Sequence, residues 1–322
     1  PLLALHHALG HVNWRVVAKH ARQHKIPLTN IANAFCEACL RAKHKKAPRG
    51  KRSSTMKQQF LPQPYVQWSA DVFGPIKPSK LNKIQYQLVF LDRGSNTIKS
   101  YPLEHIRNIP DKVAQWIHEI RDELANMNVE NMDVQVQQPL KLRTDSAQYF
   151  KSERMREILR REKIKITFSP PYTQSRNAFC ERSIAVVANM AKALLKASGM
   201  SSKDYWPEAW AHAVKIRDLL PRNANPGSKS PYSMRTNKPS PDPSKLYHPF
   251  GQPCMVYVPE DQREGGKMHW DQSRPGRIVG HDAESDAAKI AVQSKNIIKK
   301  LVRTSAQYRV DSQMPKGVFS TD

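Results

Sequence analysis

The chain has 322 residues, enough for about two or three domains of ordinary size. Its 52 Lys and Arg against 28 Asp and Glu give a formal net charge of +24, which favours a polyanionic partner and above all nucleic acid. No stretch approaches the ~20 apolar residues of a spanning helix, and 4 cysteines are too few for a disulfide scaffold. We therefore expect a reduced, intracellular protein without a membrane partner, and a basic structural protein is the competing interpretation of the charge.

Residues 1–42 combine helical apolar spacing with potential metal ligands. Leu9, Val12 and Val16 recur at the period of a helix, and Cys36 and Cys39 follow. A Cys-x-x-Cys pair lets two thiolates bind one ion from a tight turn, and two imidazoles complete a tetrahedron. The pattern predicts a structural zinc site, because four protein ligands leave no open position.

The choice of histidines stays open at this point. His7 and His11 are separated by i, i+4 and share a helical face, whereas His6 and His11 are separated by i, i+5 and need a bent or irregular turn. A histidine taken alone is more often a surface or core residue than a ligand.

Residues 43–63 are predicted to be a basic linker. The run from Arg41 to Arg52 holds 7 Lys and Arg and no acid, and it contains Pro48 and Gly50. Such a segment cannot bury an apolar face. We interpret it as a solvated linker or as a strap that follows DNA.

Residues 64–222 are predicted to form one α/β domain. The predicted strands are 66–73, 84–91, 97–103, 140–144 and 164–168, and the predicted helices are 111–127, 152–162, 176–197 and 203–220. Three early strands followed by alternating helices and strands indicate a layered fold with a mixed sheet.

The last part of the chain changes composition twice. Residues 223–249 are rich in Pro, Ser, Asn and Lys, which predicts an extended connector. In residues 250–322, short strands are predicted at 254–258, 277–280, 289–292 and 297–302. Their close spacing is typical of a small β-barrel.

Three acids stand out because acids are scarce in this chain. Asp71 lies in the first predicted strand, Asp145 ends the strand 140–144, and Glu181 lies early in a long helix. Converging carboxylates would repel one another, and divalent cations relieve that repulsion. Two such ions can activate an attacking oxygen and stabilise a leaving oxygen in phosphoryl transfer. Taken singly, Asp71 could equally be a turn residue and Glu181 a solvated helix residue.

Basic residues crowd the same part of the sequence. Lys151 and Arg160 follow Asp145, and Arg176 and Arg182 flank Glu181. Near an active site for DNA they would neutralise phosphates and set the position of the duplex without reading its sequence. A solvated basic helix face is the alternative for any one of them.

An ordered series of segments resembles the integrases of copia-type (pseudoviral) LTR retrotransposons, which belong to the DDE, RNase H-like polynucleotidyl transferase superfamily. Between Asp145 and Glu181 lie 35 residues, the separation that names the D,D-35-E motif of this family. The similar segments run over nearly the whole chain: Leu5–His11 with Cys36–Cys39, Trp68–Pro75, Leu142–Asp145, Ser169–Arg182, Tyr205–Trp210, Phe250–Cys254, Lys267–Asp271 and Gly276–Gly280.

The resemblance implies a multidomain fold: a small helical HHCC zinc module, an RNase H-like catalytic core and a C-terminal SH3-like barrel that binds DNA. It implies a nucleotidyltransferase that joins 3′ ends of element DNA to target DNA, with Asp71, Asp145 and Glu181 holding Mg²⁺ or Mn²⁺. It favours His6 rather than His7 as the zinc ligand, beside His11, Cys36 and Cys39.

The resemblance also implies partners and a location. These are double-stranded DNA as element ends and target, further copies of the chain on paired DNA ends, and a tethering protein or reverse transcriptase. The expected location is the nucleus, after a cytoplasmic retroelement particle.

The sequence departs from the family at two places. Ser146–Tyr149 stands where the family usually has Asn-Gly-Gly-Glu, and Ala178 stands where it usually has Gly. Lost glycines remove backbone freedom near the metals. A domesticated or inactive DNA-binding relative is therefore the alternative function.

Overall fold

The computed structural model describes residues 2–28, 35–43, 63–129, 140–168, 178–258, 260, 272–282, 287–292, 301–305 and 308–310. The α-helices are α1 (Leu2–Ala8), α2 (Trp14–Gln23), α3 (Glu37–Lys43), α4 (Ile109–Val129), α5 (Glu153–Arg161), α6 (Ala178–Ser198), α7 (Ser202–Leu219), α8 (Pro231–Thr236) and α9 (Pro243–Leu246). The strands are β1 (Gln67–Phe73), β2 (Tyr86–Asp92), β3 (Ile98–Leu103), β4 (Lys141–Thr144), β5 (Lys165–Phe168), β6 (Pro253–Tyr257), β7 (Ser273–Asp282), β8 (Ala287–Val292), β9 (Leu301–Ser305) and β10 (Tyr308–Val310).

A five-stranded sheet in the order β3-β2-β1-β4-β5 forms the centre of the molecule. β2 is antiparallel to both of its neighbours, whereas β1, β4 and β5 run parallel to one another. The mixed sheet predicted from the sequence is therefore confirmed. The predicted helices and strands of this region each have a counterpart, and their ends differ by a few residues.

Helices cover both faces of this sheet, as the sequence of β2 shows. Leu88 and Phe90 point to the side of α4 and α5, where the Phe90 ring stacks on Trp116 at 4.3 Å between centroids. Val89 and Leu91 point to the opposite side, into a cluster with α6 and α7. A strand that is buried on both faces needs an uninterrupted apolar run. β2 contains such a run in Leu88–Leu91.

The first two helices pack on α6 and α7 rather than standing apart from the core. Leu9 and Val17 are fully buried in the cluster that contains Met190 and Ile216. At Gly10, an added Cβ would lie 3.1 Å from the Met190 Cε, so the backbone itself is in close contact with α6. The histidine-bearing segment thus shares its apolar core with the α/β domain.

Residues 223–249, for which an extended connector is predicted, contain the short helices α8 and α9. Asp242 caps α9 by accepting from the Ser244 N–H at 2.9 Å, and its Oδ1 also lies 3.0 Å from the buried His20 Nε2 of α2. Lys19 donates to Asn223 and Ser228. This segment therefore fastens α2 to the rest of the molecule.

The second sheet has the order β10-β6-β7-β8-β9, and all its pairings are antiparallel. Its small core contains Cys254, Val256, Ile278 and Ile290. Of the strand predicted at 297–302, only the end lies within the described residues, where β9 begins. Closure into an SH3-like barrel stays a prediction. No helix in the described part of the chain is both long and apolar enough to cross a membrane.

Candidate active site and metal centre

The end of α1 brings His6 and His11 together although they are five residues apart. Gly10 and His11 both have positive φ values, 67° and 58°. The His11 N–H donates to the His6 carbonyl at 2.9 Å, and the Gly10 N–H donates to the His7 carbonyl at 3.1 Å. This pair of bonds is the Schellman ending of a helix, with glycine at its usual left-handed position. It is the irregular turn that the i, i+5 spacing requires.

Two histidines and two cysteines meet beside this turn. The His6 Nε2 lies 3.2 Å from the Cys39 Sγ, and the His11 Nδ1 lies 3.3 Å from the Cys36 Sγ and 3.6 Å from the Cys39 Sγ. The four potential ligand atoms all lie within 4.8 Å of one another. His7 is less closely placed, because its Nε2 is 4.0 Å from the Cys36 Sγ.

This donor set fits zinc. Tetrahedral zinc with ordinary Zn–S and Zn–N bonds separates a nitrogen and a sulfur ligand by about 3.5 Å, close to the observed distances. Burial lowers the pKa of His6 to about 4 and that of His11 to about 3, with Lys43 and the neighbouring histidines adding to the effect. Both imidazoles are therefore neutral at pH 7, the form that binds a metal. Burial raises the pKa of the Cys39 thiol to about 11, so metal binding must displace its proton.

Asp71 and Asp145 are placed side by side by the pairing of β1 with β4. In this parallel ladder Ser69 stands opposite Arg143. Asp71 comes two residues after Ser69 within β1, and Asp145 comes two residues after Arg143, just beyond the end of β4, so both acids lie towards the same end of this parallel pair. Both carboxylates are half-buried.

The start of α6 brings Glu181 to the same place. The buried Cys180 Sγ lies 3.8 Å from the Ser69 carbonyl, which fixes the first turn of α6 over β1. Burial raises the Cys180 pKa, and the charges of Asp71 and Glu181 raise it further. Glu181 itself is exposed on the first turn of the helix.

The pKa of Asp71 reports this arrangement. Burial raises it from 3.8 to about 6, the charges of Asp145 and Glu181 raise it as well, and the Val72 N–H that Asp71 accepts at 2.8 Å works in the other direction. Burial also raises the pKa of Tyr149, with the charges of Asp145 and Asp71 contributing. The three predicted acids are therefore electrostatic neighbours, with Tyr149 beside them. Within the described ranges, the His/Cys cluster is the only tight group of potential metal ligands. The three carboxylates are neighbours, but their oxygen atoms do not converge on one metal position.

Three arginines lie close to one another near the start of α6, and the sequence analysis missed two of them. The guanidinium groups of Arg93 and Arg182 lie 4.2 Å and 4.7 Å from the centre of the Phe179 ring. Burial lowers the pKa of Arg93, and the charges of Arg143 and Arg182 lower it further. The three guanidinium groups therefore lie close to one another. Arg93 follows the end of β2, and Arg143 precedes Asp145 by two residues, so strand alternation could have indicated Arg143.

Three other residues are predicted to contact DNA, namely Lys151, Arg160 and Arg176. Lys151 lies in a one-turn 3-10 helix, and its Nζ is 5.4 Å from the centre of the Phe168 ring. Arg160 is exposed on α5. Arg176 lies outside the described residues. The predicted DNA contacts of all four residues stay predictions.

Asp92, the acid at the end of β2, has a structural role. It is fully buried and accepts from the N–H groups of Tyr65, Gly94 and Ser95 and from the Ser95 hydroxyl. These bonds shape the turn between β2 and β3.

The lost glycines are accommodated without backbone strain. Ala147 has φ −62° and ψ 145°, which any residue adopts, and its N–H donates to Asp145 at 3.2 Å. Ser146 does not have a positive φ, and Ala178 begins the regular helix α6. The substituted positions therefore adopt conformations that suit the residues present.

No protein-family model matches the chain. Among solved structures, the chain is similar to the HTLV-2 integrase catalytic core domain in complex with magnesium in its trimeric form (16% identity, 54% of this chain and 97% of that chain, TM-score 0.38). It is similar to the catalytic core domain of BIV integrase (16% identity, 54% and 95%, TM-score 0.36). It is also similar to the simian T-cell lymphotropic virus intasome in complex with PP2A regulatory subunit B56 gamma (15% identity, 76% and 82%, TM-score 0.37).

Proposed function

We propose that the chain is a metal-dependent DNA strand transferase of the integrase type, which joins 3′ ends of element DNA to target DNA. The observation that carries the proposal is the electrostatic proximity of Asp71 to Asp145 and Glu181, with three arginines close to one another near the start of α6. Acids alone would repel DNA, and arginines alone would bind it without chemistry. Their combination suits phosphoryl transfer on a polyanion.

The three carboxylates fit divalent metal. They are hard oxygen donors, and the raised pKa of Asp71 shows that a nearby positive charge would be stabilising. Asp71, Asp145 and Glu181 would hold Mg²⁺ or Mn²⁺, which when bound activates the attacking 3′ oxygen and stabilises the leaving oxygen.

The side chains around the acids have roles of their own. The guanidinium groups of Arg93 and Arg182 both lie against the Phe179 ring and can bind phosphate oxygens through charge-assisted hydrogen bonds. Arg143 adds a third cation on the β4 side. Tyr149 keeps its proton at neutral pH because burial and the charges of Asp145 and Asp71 raise its pKa.

The finer assignment follows the sequence resemblance. We propose a copia-type retrotransposon integrase in which the His/Cys cluster holds a structural zinc ion and the second sheet forms a DNA-binding barrel. The same proposal includes a homo-oligomer on paired DNA ends, a tethering protein or reverse transcriptase as partner, and action in the nucleus.

A strand-transfer assay tests the proposal. Purified full chain is incubated with plasmid and an element-end oligonucleotide that carries a free 3′-OH, in Mg²⁺ or Mn²⁺. The wild type should join the two, and Asp71→Asn, Asp145→Asn and Glu181→Gln should each abolish joining, because an amide keeps the shape but not the charge. Asp122→Asn, at an exposed position of α4, is the matched control and should retain activity.

The alternative function is DNA binding without catalysis. The exposure of Glu181 and the open arrangement of the carboxylates favour it. If the wild type binds DNA but joins nothing with either metal, this alternative replaces the proposal. If only one or two of the three acids matter, the assignment of the remaining acid is wrong.

A further inference from the structure

A cavity of about 460 Å³ lies where the first helices pack against α6 and α7. Its volume is within the range of small-molecule sites. Three of its lining residues are cationic, namely Lys43, Arg217 and Arg222. Asp and Glu are absent from the lining residues that the structure describes, and residues 44–62, which continue from Lys43, contain no acid in their sequence.

Arg217 is the most unusual of these cations. Only 7% of its surface is exposed, its Nε has no hydrogen-bond partner among the described residues, and one terminal nitrogen donates to the Ser183 hydroxyl at 3.3 Å. Burial lowers the pKa of Arg217, and the positive charge of Arg222 lowers it further, with no carboxylate of the described residues opposing the effect. Burying an unpaired charge is costly, so such a residue is expected only where a counter-charge binds.

Arg222 repeats the pattern just beyond the end of α7. Burial lowers its pKa to about 10, and no acid in the described part of the chain counteracts this effect. Two guanidinium groups that repel each other across a cavity present several N–H donors to one place. Planar guanidinium groups match the paired oxygens of a phosphate.

The remaining walls add polar donors and an apolar surface. Asn13, Asn189 and Asn223 line the cavity, and so do Val16 and Leu220. An amide can donate to an anion, and the aliphatic side chains can cover the uncharged part of a ligand.

We propose that this cavity binds a phosphate group, held by Arg217 and Arg222. The ligand is either a small phosphorylated compound or a phosphate of a nucleic-acid strand. Because Val12 and Asn13 line one side and α6 and α7 the other, an occupied cavity would also strengthen the attachment of the first helices to the core. The proposal is independent of strand transfer, since it uses neither the carboxylates nor the His/Cys cluster.

Calorimetric titration of the full chain with pyrophosphate and with inorganic phosphate tests the small-ligand source. Sodium chloride at matched ionic strength is the blank. We expect saturable binding, weakened at least about ten-fold by Arg217→Met and by Arg222→Met, because charge-assisted hydrogen bonds are lost. Arg156→Met is the control, because Arg156 is exposed on α5, across the sheet, and should bind as the wild type does.

A second arm measures affinity for duplex DNA in the same variants. If pyrophosphate and inorganic phosphate bind weakly or not at all, but Arg217→Met and Arg222→Met reduce DNA affinity more than Arg156→Met does, the phosphate belongs to DNA. If the affinities of Arg217→Met and Arg222→Met for pyrophosphate, inorganic phosphate and DNA all equal those of Arg156→Met, the proposal is wrong.

A thermal melt in phosphate-free buffer separates binding from folding. Arg217→Met should melt no lower than the wild type, because methionine removes a buried unpaired charge at similar length. A purely structural role would instead lower the melting temperature and leave phosphate binding unaffected. If Arg217→Met does not fold, Arg222→Met at the half-buried position carries the same test.

Discussion

Replacing Asp71 by Asn should stabilise the protein at neutral pH in buffer without magnesium. Asp71 is half-buried beside Asp145 and Glu181, and burial followed by those charges raises its pKa from 3.8 to about 6. Since the folded-state pKa of this acid is raised, its ionisation costs stability. The asparagine oxygen can still accept from the Val72 N–H, so the main change is the loss of charge.

The size of the effect follows from the pKa. A shift from 3.8 to about 6 corresponds to on the order of 3 kcal/mol. Solvent screens part of it because the side chain is not fully buried, so we expect a gain of about 1–2 kcal/mol. The cost is absent below pH 3.8, grows as the pH rises, and is fully present above about pH 6. The gain should therefore shrink to about a third at pH 4.5.

Thermal melts of wild type and Asp71→Asn at pH 7.5 and pH 4.5 measure this difference. A gain of 1–2 kcal/mol should raise the melting temperature by about 2–8 °C at the higher pH. Added Mg²⁺ should stabilise the wild type more than the variant. Asp122→Asn, on exposed α4, should show neither effect. A variant that melts below the wild type at pH 7.5, or gains equally at both pH values, would refute the account of the acidic cluster.

Two further predictions concern the metal centre and the DNA interface. Metal analysis should find one zinc ion per chain and none in the Cys36→Ser, Cys39→Ser double variant, and a chelator should melt the first ~40 residues before the core; normal zinc content in the double variant would contradict the site. The affinity for duplex DNA should fall with salt, and Arg182→Gln should reduce the logarithmic slope by about 0.9, as expected for one lost phosphate contact. Deleting residues 43–52 should flatten the slope further, and an unchanged slope would make that run a passive linker.

The arrangement of the core was predictable because its strands carry clear periodicity. The apolar run in β2 is typical of a central strand, and Leu88 and Val89 do point to opposite faces. Asp71 and Asp145 stood out because acids are rare here and both occur at strands. Their proximity still depended on the register of β1 with β4, which strand periodicity does not specify.

The choice between His6 and His7 could not be made from helical spacing. It depends on how α1 ends, and the left-handed Gly10 and His11 make the ending a Schellman turn. Gly10 after an apolar helix was the available signal, because glycine commonly occupies that position.

The basic residues show a second limit of the sequence. Arg93 and Arg143 are single arginines in separate strand regions and become neighbours only when the sheet forms. Arg217 carried a signal, because it lies four residues after Ala213 and three before Leu220, on the buried face of α7. That none of the described acids is its partner depends on how the first helices pack, which no local pattern determines.

Metal rescue of Asp145→Cys in the strand-transfer assay tests most directly whether this carboxylate contacts catalytic metal. A thiolate binds Mg²⁺ poorly and accepts softer Mn²⁺ better. The account predicts no joining by Asp145→Cys in Mg²⁺ and a recovery in Mn²⁺ of at least about ten-fold over Asp145→Ala, since metal contact depends on ligand softness. Equal activity of Asp145→Cys and the wild type in Mg²⁺, or no joining by the wild type in either metal, would contradict it.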